Sequence, residues 1–149
     1  MNPTDDDGGG GSARRGRRKV PARTRGRRKA LDVLFEADQR GLDPAGLAQN
    51  RLADDGPSAV FARSLVEGVV AHAEQIDEAL ETYSLGWPLA KMPAVDRSIA
   101  RLGAFEILFS DGVPDAVVMG EAADLAGILS TDRSPNFISG LLGRISEMK

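Results

Sequence analysis

Between residues 61 and 83 the apolar residues Phe61, Leu65, Val69, Ala73, Ile76, Leu80 and Tyr83 recur at steps of three and four. That spacing keeps one stripe of an α-helix apolar and does not suit a strand, whose faces alternate at every second residue. The same period runs through the other segments. Ala30, Leu31, Leu34, Phe35 and Ala37 mark one face of a helix over about 23–40, with Arg27, Arg28, Glu36 and Gln39 elsewhere, and Gly41 stops it. Asp43-Pro44 supplies an N-cap and a proline at the first helical position for a short second helix to about residue 52. Gly56-Pro57 opens a long third helix that carries the 61–83 stripe. Val95, Ile99, Leu102, Phe105, Leu108 and Phe109 face inward on a fourth. Pro114 opens a fifth with Val117, Val118, Ala122, Leu125 and Leu129, and Ser134-Pro135 caps a last one with Phe137, Ile138, Leu141, Leu142 and Ile145. Val117-Val118-Met119 is the single β-leaning run and is too short to build a sheet. The prediction is an all-α fold of two small helical subdomains, about 23–84 and 93–149, packed together and joined through the Pro- and Gly-containing segment 85–93.

Charge divides along a different line. Residues 1–29 carry ten basic and three acidic side chains, a net +7, while residues 30–149 carry nine and nineteen, a net −10. A basic arm on an acidic body points to a polyanion as partner, because clustered arginines displace counterions from phosphates. Residues 1–22 read as a disordered tail, Asp5-Asp6-Asp7 and Gly8-Gly9-Gly10-Gly11 giving way to an Arg-rich run. The glycines lack the flanking strand and Gly-Lys-Ser/Thr ending of a phosphate loop. The arm runs on into the first helix through Arg23, Arg25, Arg27, Arg28 and Lys29, so folded structure should hold part of its charge in place. Aromatic residues are 5% of the chain, and four of the five phenylalanines fall at core spacing. A helix-plus-arm contact to the backbone of single-stranded or irregular RNA suits this composition better than base stacking on a sheet. An arm that binds acidic proteins, on a helical interaction module, is the competing reading.

Catalysis finds no footing in the sequence. There is no cysteine, so disulfides, thiolate metal sites and cysteine nucleophiles are excluded, in keeping with a reducing cytoplasm. His72 is the one histidine, on a helix, where a surface or boundary role is expected, and no metal site or cofactor is implied. Glu78 with Glu81 and Asp54 with Asp55 read as solvated pairs. No Gly-x-Ser-x-Gly elbow occurs. No apolar stretch approaches the roughly 20 residues that span a bilayer, and no apolar segment follows a basic start as in a secretory signal, so a cytoplasmic protein is expected.

Five pieces in order carry a family resemblance over about 23–147. They are Arg25-Gly26-Arg27-Arg28-Lys29-Ala30-Leu31-Asp32-Val33-Leu34-Phe35-Glu36; Phe61-Ala62-Arg63-Ser64-Leu65-Val66-Glu67-Gly68-Val69; Val95-Asp96-Arg97-Ser98-Ile99-Ala100-Arg101-Leu102 with Glu106; Val113-Pro114 with Val117, Glu121-Ala122 and Leu125-Ala126; and Ser134-Pro135-Asn136-Phe137-Ile138-Ser139-Gly140-Leu141-Leu142. Together they resemble the bacterial NusB family of transcription antitermination factors. Met119-Gly120, Gly127, Arg133 and Ser139 depart from the family's pattern.

The resemblance implies a NusB-like helical bundle without catalysis. It also implies pairing with NusE, a small-subunit ribosomal protein, and joint binding of the single-stranded boxA element of nascent ribosomal transcripts. Other Nus factors and RNA polymerase would complete the antitermination complex. The RNA-binding residues would be Arg23, Arg25, Arg27, Arg28 and Lys29, and the NusE-facing ones Phe35 and Asp96. Phe35 reads equally as a core residue and Asp96 as a helix cap or surface pair. An exposed helix face could support a homodimer. A NusB-like RNA-binding domain of ribosomal RNA cytosine methyltransferases is the alternative, but such an enzyme needs a further domain and a catalytic cysteine that this sequence lacks.

Overall fold

A helix ends where a residue can turn left-handed without strain, and Gly41 does so with φ 65°, its amide bonding back to the Ala37 carbonyl. It closes α1 (Ala22–Arg40). The computed structural model describes residues 20–149, so the tail expected over 1–22 lies almost wholly outside the described residues, and Ala22 already belongs to α1. α2 (Pro44–Arg51) starts as its sequence demands: Pro44 needs no amide partner, and the Asp43 carboxylate accepts from the Gly46 amide at 3.1 Å. α3 (Pro57–Ala71), α4 (Ala73–Tyr83), a single 3-10 turn (Leu89–Lys91), α5 (Ala94–Phe109), α6 (Asp115–Leu129) and α7 (Ser134–Met148) follow. The described residues contain seven α-helices and no strand.

The long third helix is two helices. The break falls at His72, with φ −116° and ψ 23°. Four-residue steps drift about 40° round a helix, so an unbroken stripe from Phe61 onward would turn out of the core. The break resets it: Ile76 and Leu80 on α4 are fully buried and Ala73 is exposed. Gly68, one turn earlier, has no side chain because the Phe105 ring of α5 occupies that space; a Cβ there would lie 2.0 Å from the ring. The His72 imidazole stacks on Phe109 with centroids 3.9 Å apart and on Phe105 at 6.0 Å. Phe109, expected inward, is therefore 39% exposed and serves as a lid on His72.

α5 lies in the middle and touches α1, α3, α4, α6 and α7. Ile99 and Ile107 of α5 meet Leu31 of α1, Leu65 of α3, and Ile138, Leu141, Leu142 and Ile145 of α7 in one apolar cluster. Gly103 lets Leu142 sit against the α5 backbone, and Gly26 lets α1 cross α3 with only 2.9 Å between an imagined Cβ and the Ser58 carbonyl. Trp87, from the segment between α4 and α5, packs edge-on to the half-buried Phe137 ring at 4.6 Å. No helix among the described residues is long and apolar enough to cross a membrane.

Candidate nucleic-acid interface

The basic residues of α1 do not act as one patch. At 100° per residue, Arg25, Arg28 and Lys29 fall on one side of the helix and Arg23 and Arg27 on the other. Arg25 and Arg28 are exposed. Arg28 makes only a long 3.4 Å pairing with Asp32, between two solvent-exposed side chains, which adds little stability. The Arg25 guanidinium donates to the Val20 carbonyl, holding the chain before α1 against the helix. Lys29 is half-buried and donates to the Ser58 hydroxyl at 2.8 Å, with hydrogen-bonding capacity left over.

Arg27 was expected among the RNA-binding arginines and away from the apolar face. It is instead 4% exposed, in the interior between α1, α5 and α6. Its Nε and Nη2 donate to the two carboxylate oxygens of Glu106 at 2.8 and 2.9 Å, and Nη1 donates to Glu121 at 3.2 Å. Burial alone pulls the guanidinium's pKa down. Hydrogen bonding and charge from Glu106, with Glu121 behind it, outweigh that, and the group sits above its ordinary value. Three of its five N–H groups are taken by the two carboxylates, and at 4% exposure the guanidinium presents almost no surface to solvent. Arg23, one turn before, is exposed, and its guanidinium and that of Arg27 lie 5.3 and 5.4 Å from the Phe61 ring centroid.

Asp96 is wholly buried in the first turn of α5, so it is not the surface pair that was one expected reading. Ser130 and Ser134 donate their hydroxyls to its two oxygens, the second at 2.8 Å. Ser134, expected to cap α7 by itself, thus ties the start of α7 to the first turn of α5 and also receives the Thr131 amide at 3.3 Å. Phe35 is half-buried and looks onto a concavity of about 190 Å³ formed with Leu31, Asp32, Val95 and Leu129. Asp96, next to Val95 in the sequence, does not line that concavity and is not exposed to solvent.

One more feature lies at the start of the basic helix and was not foreseen. Val117, expected in the core, is 47% exposed; its neighbour Val118 takes the inward position. Val117, Val113 and Pro114 face the first turn of α1 across a groove of about 360 Å³. Adjacent residues point about 100° apart on a helix, and of these two only Val118 is buried. Among the described residues, no group of three or more His, Asp or Glu side chains is arranged to hold a metal ion.

The arrangement defines an all-helical protein whose first helix presents guanidinium groups to solvent from an otherwise acidic body. A family profile described as the NusB family matches residues 24–147. The transcription antitermination protein NusB of Kineococcus radiotolerans is 52% identical over 131 residues, which cover 87% of this chain and 96% of that protein. That of Clavibacter sepedonicus is 53% identical over 133 residues, covering 85% and 97%. Among solved structures, T. maritima NusB superposes with a TM-score of 0.79 at 28% identity, covering 87% of this chain and 93% of its own. A chain of the complex of antitermination factors NusB and NusE with double-stranded RNA superposes with a TM-score of 0.78 at 25% identity, covering 86% and 98%. The chain belongs to the NusB family.

Proposed function

We propose that this chain is a non-catalytic, cytoplasmic transcription antitermination factor that binds boxA RNA together with NusE and helps RNA polymerase pass early termination signals. The observation that carries the proposal is the exposure of Arg25 and Arg28 on one face of α1, continuous in sequence with the Arg14–Lys19 run. Arginines so placed can grip successive phosphates of a flexible strand. The acidic remainder of the body favours a track confined to the arm and α1. The solved NusB–NusE–RNA complex whose fold this chain shares supports both partners.

NusE is assigned to the concavity beside Phe35. Phe35, Val95 and Leu129 offer apolar area there, and Asp96, held by Ser130 and Ser134, contributes by fixing the first turn of α5, which carries Val95. Arg27 likewise contributes by holding the basic helix on α5 and α6, not by touching RNA. The test is binding of a boxA RNA and a base-scrambled control, each with and without NusE. Preference for boxA that sharpens when NusE is added is expected. Equal binding of both RNAs in both conditions would overturn the proposal and leave a basic arm on a helical scaffold.

A further inference from the structure

We infer that the groove between the first turn of α1 and the start of α6 is a slot for one unstacked nucleobase of the bound RNA. The inference rests on the RNA-binding reading above and adds to it a residue-level site. One side of the slot is Pro21, Arg23 and Thr24, and the other is Val113, Pro114 and Val117, around a volume of about 360 Å³. Gly112, at φ 91°, makes the turn that brings Val113 and Pro114 across.

Three observations select the occupant. First, the walls differ in kind: one is aliphatic, with Val117 47% exposed in the chain as it stands, and the other carries an exposed guanidinium. A planar base meets both, since its π-face stacks on a guanidinium plane and its other face covers aliphatic surface. Second, the ion pair of Arg27 with Glu121 closes the back at 3.2 Å, so the slot has a fixed floor and is not a passage into the core. Third, the lip is cationic. Arg23 is exposed at the rim and the Arg14–Lys19 run ends two residues before Pro21 in the sequence, so a phosphate next to an inserted base would meet positive charge. An apolar peptide segment has no use for that charge. The slot also supplies what the scarcity of aromatic residues denies this chain, a surface on which a base can stack.

The test uses the full chain with a single-stranded boxA RNA and a series of the same RNA carrying one abasic nucleotide at each position in turn. Val117→Ser removes the aliphatic wall at an exposed position and adds no charge. It should weaken binding about three- to tenfold while leaving the salt dependence unchanged, because no phosphate contact is lost. One abasic position should cost wild type a similar factor and cost V117S nothing further. Wild-type binding that is insensitive to every abasic substitution, or V117S and abasic losses that multiply at every position, would overturn the slot while leaving the phosphate track intact. Absence of RNA binding by wild type would instead remove the RNA reading and this inference with it. The abasic series on unmodified protein keeps the test decisive if V117S folds poorly.

Discussion

Arg27 and Glu106 form a two-pronged ion pair in the interior, with donor–acceptor distances of 2.8 and 2.9 Å and exposures of 4% and 2%. The pair joins the basic helix to the central helix of the fold, with Glu121 bringing α6 to the same guanidinium. Removing one member of a buried pair leaves the other charged and without compensation. Glu106→Leu is expected to cost about 3–5 kcal/mol, with Arg27→Leu in the same range. Chemical denaturation checks this. The double variant should recover much of the loss, since an apolar pair of similar volume avoids burying charge. A single-variant cost below about 1 kcal/mol, the range of exposed pairs, would contradict the burial of Arg27.

Two glycines should respond in opposite directions to the same substitution. At Gly68 a Cβ would collide with the Phe105 ring at 2.0 Å, and His72 stacks on that ring, so Gly68→Ala should destabilise by about 1–3 kcal/mol. At Gly120, mid-way along α6, nothing lies within 4 Å of an added Cβ, and Gly120→Ala should stabilise by about 1 kcal/mol through helix propensity alone. Thermal midpoints moving down for the first and up for the second are the expected pair of results.

The Ser146 hydroxyl donates to Asp115 at 2.6 Å and Lys149 approaches the same carboxylate at 2.9 Å, fastening the end of α7 to the start of α6. The Ser146 bond first, and Lys149 next, hold the Asp115 carboxyl below its ordinary value. A depressed carboxyl contributes stability that is complete above the ordinary carboxylate range and disappears as pH falls through the lower folded value. The fastening should therefore persist at neutral pH and release only below about pH 4. Ser146→Ala should move the Asp115 titration upward in an NMR experiment, and an unmoved titration would show that the hydroxyl does not set it.

The all-helical order and most boundaries were legible because capping chemistry is local: Asp43-Pro44, Gly41 and Gly56-Pro57 each carry their own signal. The burial of Arg27 was also within reach. It precedes Leu31 by four residues and Leu34 by seven, on the inward stripe, and was obscured by the other cations around it. Asp96 and Glu106 share a stripe with Ile99 and Gly103 and are buried for the same reason. The break at His72 was hidden because Ala73 continues the spacing of the helix before it. The Phe105 ring packed beside Gly68 and His72 comes from more than thirty residues away. The slot beside Val117 lies further from any sequence signal, since its walls come from segments some ninety residues apart.

The division of the α1 cations into an outward track and an inward anchor is tested most directly by the salt dependence of boxA affinity for wild type and for Arg25→Ala/Arg28→Ala, with stability measured alongside. Each phosphate contact to a single strand contributes about 0.7 to the slope of log affinity against log salt, so the double variant should bind more weakly with a slope shallower by about 1.4. Its denaturation midpoint should stay close to that of wild type, since both side chains lie outside the core. An unchanged slope at unchanged stability would contradict the account and place the phosphate contacts elsewhere on the chain.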